Sequence, residues 1–166
     1  MKRMLPVMVA VPIMACAVAF ASVQTDYDHA IDFAQYHTYT WGNVEAKDSL
    51  WADRIRQNVD QQLQAKGWRP VSNQADVSVL GLGDSKTQQQ EQTFYSGGGW
   101  FGPGVATTST YSERKGVVIV AIFDNKTKKL AWRGTATGGL ADNPEKNVGK
   151  LSKAVSQMFA KFPPKK

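Results

Sequence analysis

The stretch that most limits how this chain can fold is a hairpin over residues 116–137. Its first strand reads Gly-Val-Val-Ile-Val-Ala-Ile-Phe. Strand side chains alternate, so Val117, Ile119, Ala121 and Phe123 point one way, and Val118, Val120 and Ile122 the other. Both sets are apolar. That predicts a strand in the middle of a sheet, covered at least in part on both faces. A polar connection follows, and the return strand sets Leu130, Trp132 and Ala136 against Arg133, Thr135 and Thr137. The hairpin locates the core but carries no chemistry.

The start of the chain reads as an export leader. Lys2 and Arg3 form a positive opening, and an apolar run interrupted by Pro6 and Pro12 follows. The run falls short of the roughly 20 residues that a membrane-spanning helix needs. Two processing routes fit. Ala19-Phe20-Ala21 is an A-x-A site, giving a signal peptide over residues 1–21 and a single domain over 22–166. Alternatively, Ile13-Met14-Ala15-Cys16 is a lipobox-like run, giving a leader over 1–15 and a lipidated Cys16. Either route takes the protein out of the cytoplasm, to the periplasm or the outer membrane, with membrane contact only if Cys16 is lipidated. Cys16 is the sole cysteine, which excludes an internal disulfide and a thiolate metal cluster.

Between leader and hairpin, residues 23–28 alternate as a half-buried strand, and 38–41 make a second, aromatic one. Residues 28–36 are expected to bend with Ile31 and Phe33 inward, and 42–47 to form a loop. A helix over 50–66 follows, capped by Asp48 or Ser49, with Trp51, Ile55, Val59 and Leu63 as its apolar stripe. Gly67 suits the left-handed residue that closes a helix, with Trp68 packing back on Leu63. Residues 75–82 form a third strand. Polar residues 84–93 either extend it as an exposed edge or form a loop. Glycine-rich 96–104 is a loop tip, and 105–114 a returning strand. After the hairpin, Asn143 caps a last helix opening at Pro144, striped by Val148, Leu151, Val155, Met158, Phe159 and Phe162 and stopped by Pro163-Pro164. The order is β-β-α-β-β-β-β-α. It predicts a two-layer α+β domain: a mostly antiparallel β-sheet with two helices packed on one face.

Asp26-Tyr27-Asp28, Asp32-Phe33, Tyr36, Thr38-Tyr39 and Trp41 resemble the opening signature of a bacterial family, domain of unknown function 4136. Ala75-Asp76, Phe123-Asp124, Trp132-Arg133-Gly134 and Phe162-Pro163 resemble its later landmarks. The resemblance spans residues 23–163. It implies an exported envelope protein, often a lipoprotein, and transfers no catalytic residues.

The motifs that spell chemistry lack the context it needs. Gly97-x-Gly99-x-x-Gly102 matches a dinucleotide fingerprint, but Pro103-Gly104 follows where a helix must begin, so no cofactor is expected. Asp26, Asp28 and Asp32, with His29 among them, form an acidic cluster without the glycine and terminal glutamate of an EF-hand loop; turn and capping roles are expected. His29 and His37 lie outside any H-E-x-x-H pattern, and no serine sits in a G-x-S-x-G elbow. Arg133 is expected to lie over an aromatic ring or to pair with an acid. The net charge is +6, with Lys2 and Arg3 in the leader, and the remaining lysines form no single stripe; no nucleic-acid partner is expected.

Trp100 and Phe101, on the glycine-rich tip, remain as residues that either grip a partner or fold back over the second face of the sheet. Two function classes follow. One is a non-catalytic envelope protein that binds a protein, glycan or lipid through its loops. The other is an envelope hydrolase using Asp26, Asp28 and His29. The missing nucleophile and metal set favour the first.

Overall fold

The computed structural model describes residues 22–96 and 105–164. Six strands form one sheet: β1 (Ser22–Tyr27), β2 (Thr38–Glu45), β3 (Arg69–Pro70), β4 (Val77–Ser96), β5 (Val105–Asp124) and β6 (Leu130–Gly139). Two helices, α1 (Ser49–Ala65) and α2 (Pro144–Phe159), and a 3-10 turn (Phe33–Gln35) complete the chain. The sheet order is β1-β6-β5-β4-β2-β3. The first three pairings are antiparallel, whereas β2 runs parallel to both β4 and β3. The α+β class is as expected, and the sheet is mixed. The parallel pairs arise because α1 carries the chain from β2 back to the same end of the sheet, which a hairpin cannot do.

The element order matches the expected one, but the strands divide differently. Residues 105–114 and 116–123 are one strand, unbroken at Gly116. A side chain at Gly116 would meet Leu140 at 2.9 Å, so this glycine makes room rather than punctuating the strand. Residues 84–93 belong to β4 and pair rung by rung with β5 as far as Ser96 opposite Val105. The expected loop at 42–47 is strand as far as Glu45, with a bulge between Trp41 and Val44 that accommodates Gly42. The sixth strand is made up by β3, which follows α1.

α1 forms where its stripe predicts. Asp48 caps it through the Trp51 N–H (2.9 Å), and Ile55, Val59 and Leu63 are buried. Its end is a Schellman motif: Trp68 N–H donates to Leu63 C=O (3.1 Å), Gly67 N–H to Gln64 C=O (2.9 Å), and Gly67 takes φ +85°. α2 begins at Pro144 behind Asn143 and ends at Phe159, so Phe162 packs from beyond the helix.

Both helices cover one face of the sheet. There Val77 and Val79 of β4, Val120 and Ile122 of β5, and Trp132 of β6 meet Ile55, Val59, Leu63, Val155, Met158 and Phe159. Phe162 joins the layers, with ring centroids 5.2 Å from Trp68, Trp132 and Phe159 and 5.8 Å from Phe33. Gly134 belongs to this packing. A side chain there would lie 2.6 Å from the Trp132 indole and 2.9 Å from the Met158 sulfur.

On the second face, Val117, Ile119, Ala121 and Phe123 are half-buried and lie outside the core cluster. Residues 97–104, which carry Trp100 and Phe101, lie outside the described residues. With Leu80 and Leu82, the latter 38% exposed, they form an apolar strip down the middle of the outer face.

Candidate functional site

The sequence offered two places for function, and the structure treats them differently. At the acidic cluster, each carboxylate accepts from a backbone N–H one or two residues further along the chain. Asp26 accepts from the Tyr27 N–H, Asp28 from the Ala30 N–H and Asp32 from the Ala34 N–H, at 2.9–3.0 Å. Asp26 also faces Arg133 across the β1–β6 pair, at 3.8 Å between exposed side chains. His29 packs at a tilt against Tyr27, with centroids 4.3 Å apart. The groups follow the chain around a bend without converging, and no cluster of His, Cys, Asp and Glu suited to a metal occurs among the described residues.

Three other aspartates gather the polar contacts, and each fastens one element to another. The Asp76 carboxylate accepts from the His37 N–H (2.9 Å), the Thr38 N–H (2.8 Å) and the Thr38 hydroxyl (2.8 Å), fixing the start of β2 beside the start of β4. These bonds, led by the His37 N–H, hold its carboxyl below the usual range. Asp124 is buried. It accepts from the Tyr36 hydroxyl at 2.6 Å and from the N–H groups of Lys126 and Thr127 at 2.7 and 2.8 Å. The Tyr36 bond leads in holding the Asp124 carboxyl down, while burial and that same bond push the phenol up. Asp60 of α1 accepts from the Tyr39 hydroxyl (2.7 Å) and the Trp41 indole (2.8 Å). Burial first, then Asp60, pushes the Tyr39 phenol up.

These contacts explain most of the signature. Tyr36, Thr38, Tyr39 and Trp41 are held by Asp124, Asp76 and Asp60, and Asp32 caps the 3-10 turn. The landmarks hold the fold, and Asp32, Phe33, Phe162 and Pro163 among them also line an open groove of about 690 Å³ beside the end of α2.

What the sequence left open is how residues 84–93 and 105–114 meet: as an arm. β2 leaves β4 at Glu45, opposite Leu82, and β6 leaves β5 at Gly139, opposite Lys115. Beyond those points β4 and β5 continue together as a two-stranded ribbon. Residues 86–89, 108–110 and 112 have exposed side chains, mostly Thr, Gln and Ser, and the Thr93 and Thr108 hydroxyls lie 3.0 Å apart. The signal was present in the sequence as two polar, β-tolerant segments on either side of a glycine-rich tip. Polar strands lack the apolar alternation that marks a half-buried one. At the root of the arm, a shallow trough of about 200 Å³ on the outer face is lined by Asn43, Glu45, Leu80, Leu82, Ile119 and Ala121. Trp100 and Phe101 lie outside the described residues, as does Cys16.

The family model for the "Domain of unknown function (DUF4136)" matches residues 23–164. The chain belongs to this family. No curated protein matches it. Among solved structures, a PDZ domain protein from Parabacteroides distasonis is similar at 13% identity and TM-score 0.65, over 89% of this chain and 36% of that one. This chain therefore spans about a third of that protein, and the likeness is one of fold. The PelC dodecamer from Paraburkholderia phytofirmans is similar at 14% identity and TM-score 0.49, over 83% of this chain and 96% of that one. A minor lipoprotein from Acinetobacter baumannii is similar at 12% identity and TM-score 0.38, over 76% of this chain and 92% of that one. No described helix of the DUF4136 chain is long and apolar enough to cross a membrane.

Proposed function

We propose that this DUF4136 protein is an exported, non-catalytic component of the cell envelope that binds a protein, glycan or lipid partner through the far end of its β4–β5 arm. The observation that carries this reading is the arm itself: a ladder that continues past every other strand as far as Ser96 and Val105. Ordering so long a ribbon has a conformational cost that burial in its own core does not offset. Binding offers a compensating contact.

Trp100 and Phe101 are the proposed gripping residues. From Leu82 to Ser96 is roughly 45 Å of ladder at about 3.4 Å per residue. Four residues from Ser96 to Trp100 span at most about 14 Å. The reading is supported by the length of ladder that separates Ser96 from the apolar strip. Replacing both with serine is expected to abolish crosslinked capture of the partner from intact envelope while the melting temperature stays put. A fall in stability of about 2 kcal/mol, the scale for uncovering a large apolar side chain, with capture lost only in step with folding, would instead seat the rings against the fold.

Export is part of the same proposal. The family match begins at residue 23, just past the A-x-A site. The intact mass of the exported protein is expected to correspond to a chain starting at Ser22. A mass starting at Cys16 with acyl chains added would make it a lipid-anchored protein of the same envelope.

A further inference from the structure

The two open edges of the arm are not alike. An open edge presents unpaired N–H and C=O groups to any strand of suitable spacing, and charged residues on it discourage such addition. The β4 edge carries Asp84, Lys86 and Glu91. The β5 edge from Val105 to Ser112 carries no charge, proline or glycine, and its register with β4 has no bulge. Its nearest charges, Glu113, Arg114 and Lys115, sit at the root, where the Leu140 N–H already closes on the Arg114 C=O at 2.7 Å.

The direction of the free groups follows from bonds elsewhere on β5. The Asp124 N–H donates to Lys129 C=O (2.9 Å), and its C=O accepts from Lys128 N–H (2.8 Å). Arg114 turns its C=O the same way, toward the β6 side. Alternation along the strand then points the N–H and C=O of Ala106, Thr108, Thr110 and Ser112 out from the open edge. The close Thr93 and Thr108 hydroxyls agree, since side chains approach most closely where residues do not exchange backbone bonds.

We propose that this edge pairs with the same edge of a second copy, β5 against β5, antiparallel about a two-fold axis at Ser109. This names a partner for the arm and rests on its being a binding element. Ala106 then faces Ser112 and Thr108 faces Thr110, each pair exchanging both backbone bonds, so every outward group in the stretch is satisfied. A neutral Thr/Ser edge has no charge with which to select a charged ligand. A second copy supplies complementary groups at matched spacing with no like charges opposed. The position of Lys115 in the second copy, where its β6 ends at Gly139, falls beyond Val105, so the two bodies lie at opposite ends of the shared ribbon.

The test uses the full chain in a Cys16→Ser background, which leaves no other cysteine. Ser109→Cys sets two sulfurs across the axis with Cα atoms about 4.5 Å apart, within disulfide range. It is expected to form a covalent dimer on mild oxidation, while Gln89→Cys on the β4 edge does not. Sedimentation of the chain without added cysteines is expected to show the mass doubling as concentration rises. Thr108→Pro with Thr110→Pro, which removes outward N–H groups and spares those bonded to β4, should return it to monomer with unchanged circular dichroism. A monomer at every concentration, or crosslinking through position 89 in place of 109, overturns the proposal. If the proline variant does not fold, the cysteine pair decides alone. Self-association of purified protein without capture of an envelope partner would leave this inference standing and remove the reading above it; capture without self-association would do the reverse.

Discussion

Replacing Trp132 with alanine is expected to destabilise the protein by about 3–5 kcal/mol, the range for truncating a fully buried large aromatic. Trp132 is 2% exposed, and its ring centroid lies 4.9 Å from that of Phe159 and 5.2 Å from that of Phe162. The cost should fall in the upper part of that range because the site has little freedom to collapse. The indole lies along its own strand over Gly134, so one wall is backbone with no side chain to move in. The facing wall is α2, which Asn143 and Pro144 fix at its start. Typical domains are stable by about 5–15 kcal/mol, so the loss is a large fraction of the whole. Urea denaturation reads it as a shift in midpoint at an unchanged slope. A midpoint that does not move would mean that the indole packs against something other than α2.

The reach of the sequence can be judged from particular elements. α1 was legible to within a residue because its stripe, its Asp48 cap and the Gly67-Trp68 ending are all local, each set by residues within one or two turns. The β5–β6 hairpin was legible for the same reason. The parallel pairing of β2 with β4 was not, since register between segments that far apart depends on which apolar faces meet, and many pairings satisfy the same alternation. Glycine misled twice. Gly42 marks a bulge and Gly116 a close approach to Leu140, and both look like strand ends in a list of residues. At the sites, Asp76 and Asp124 were visible only as landmarks. Their partners, Thr38 and Tyr36, lie 38 and 88 positions away, and no spacing rule connects them. The arm was legible in part: 105–114 read as a strand and 84–93 as an edge or a loop, and the exposed side chains at 86–89, 108–110 and 112 gave periodicity no buried face to report.

Loss of the Asp124 carboxylate should be the second large effect. Asp124→Ala leaves the Tyr36 hydroxyl without its acceptor in a site where Tyr36 is only 5% exposed. It also frees the N–H groups of Lys126 and Thr127, which lie at the surface and can turn to water. A bond to a charged group contributes about 1.5–3 kcal/mol, so a total of roughly 2–4 kcal/mol at neutral pH is expected, most of it from the buried hydroxyl. The pH dependence separates charge from shape. In the folded state the carboxyls of Asp124 and Asp76 are held below their ordinary value. A depressed carboxyl contributes its stability in full above the unfolded value of about 3.9 and loses it as pH falls through the folded one. Wild-type protein should therefore weaken steeply below about pH 4. Asp124→Asn keeps an acceptor for Tyr36 without the charge, so it should start less stable at neutral pH and lose less on acidification, a residual slope coming from Asp76. Stability measured by urea denaturation from about pH 2 to 7 would show the two curves converging toward the acid end. Curves that stay parallel across that range would mean that the Asp124 charge adds nothing beyond what a neutral oxygen supplies.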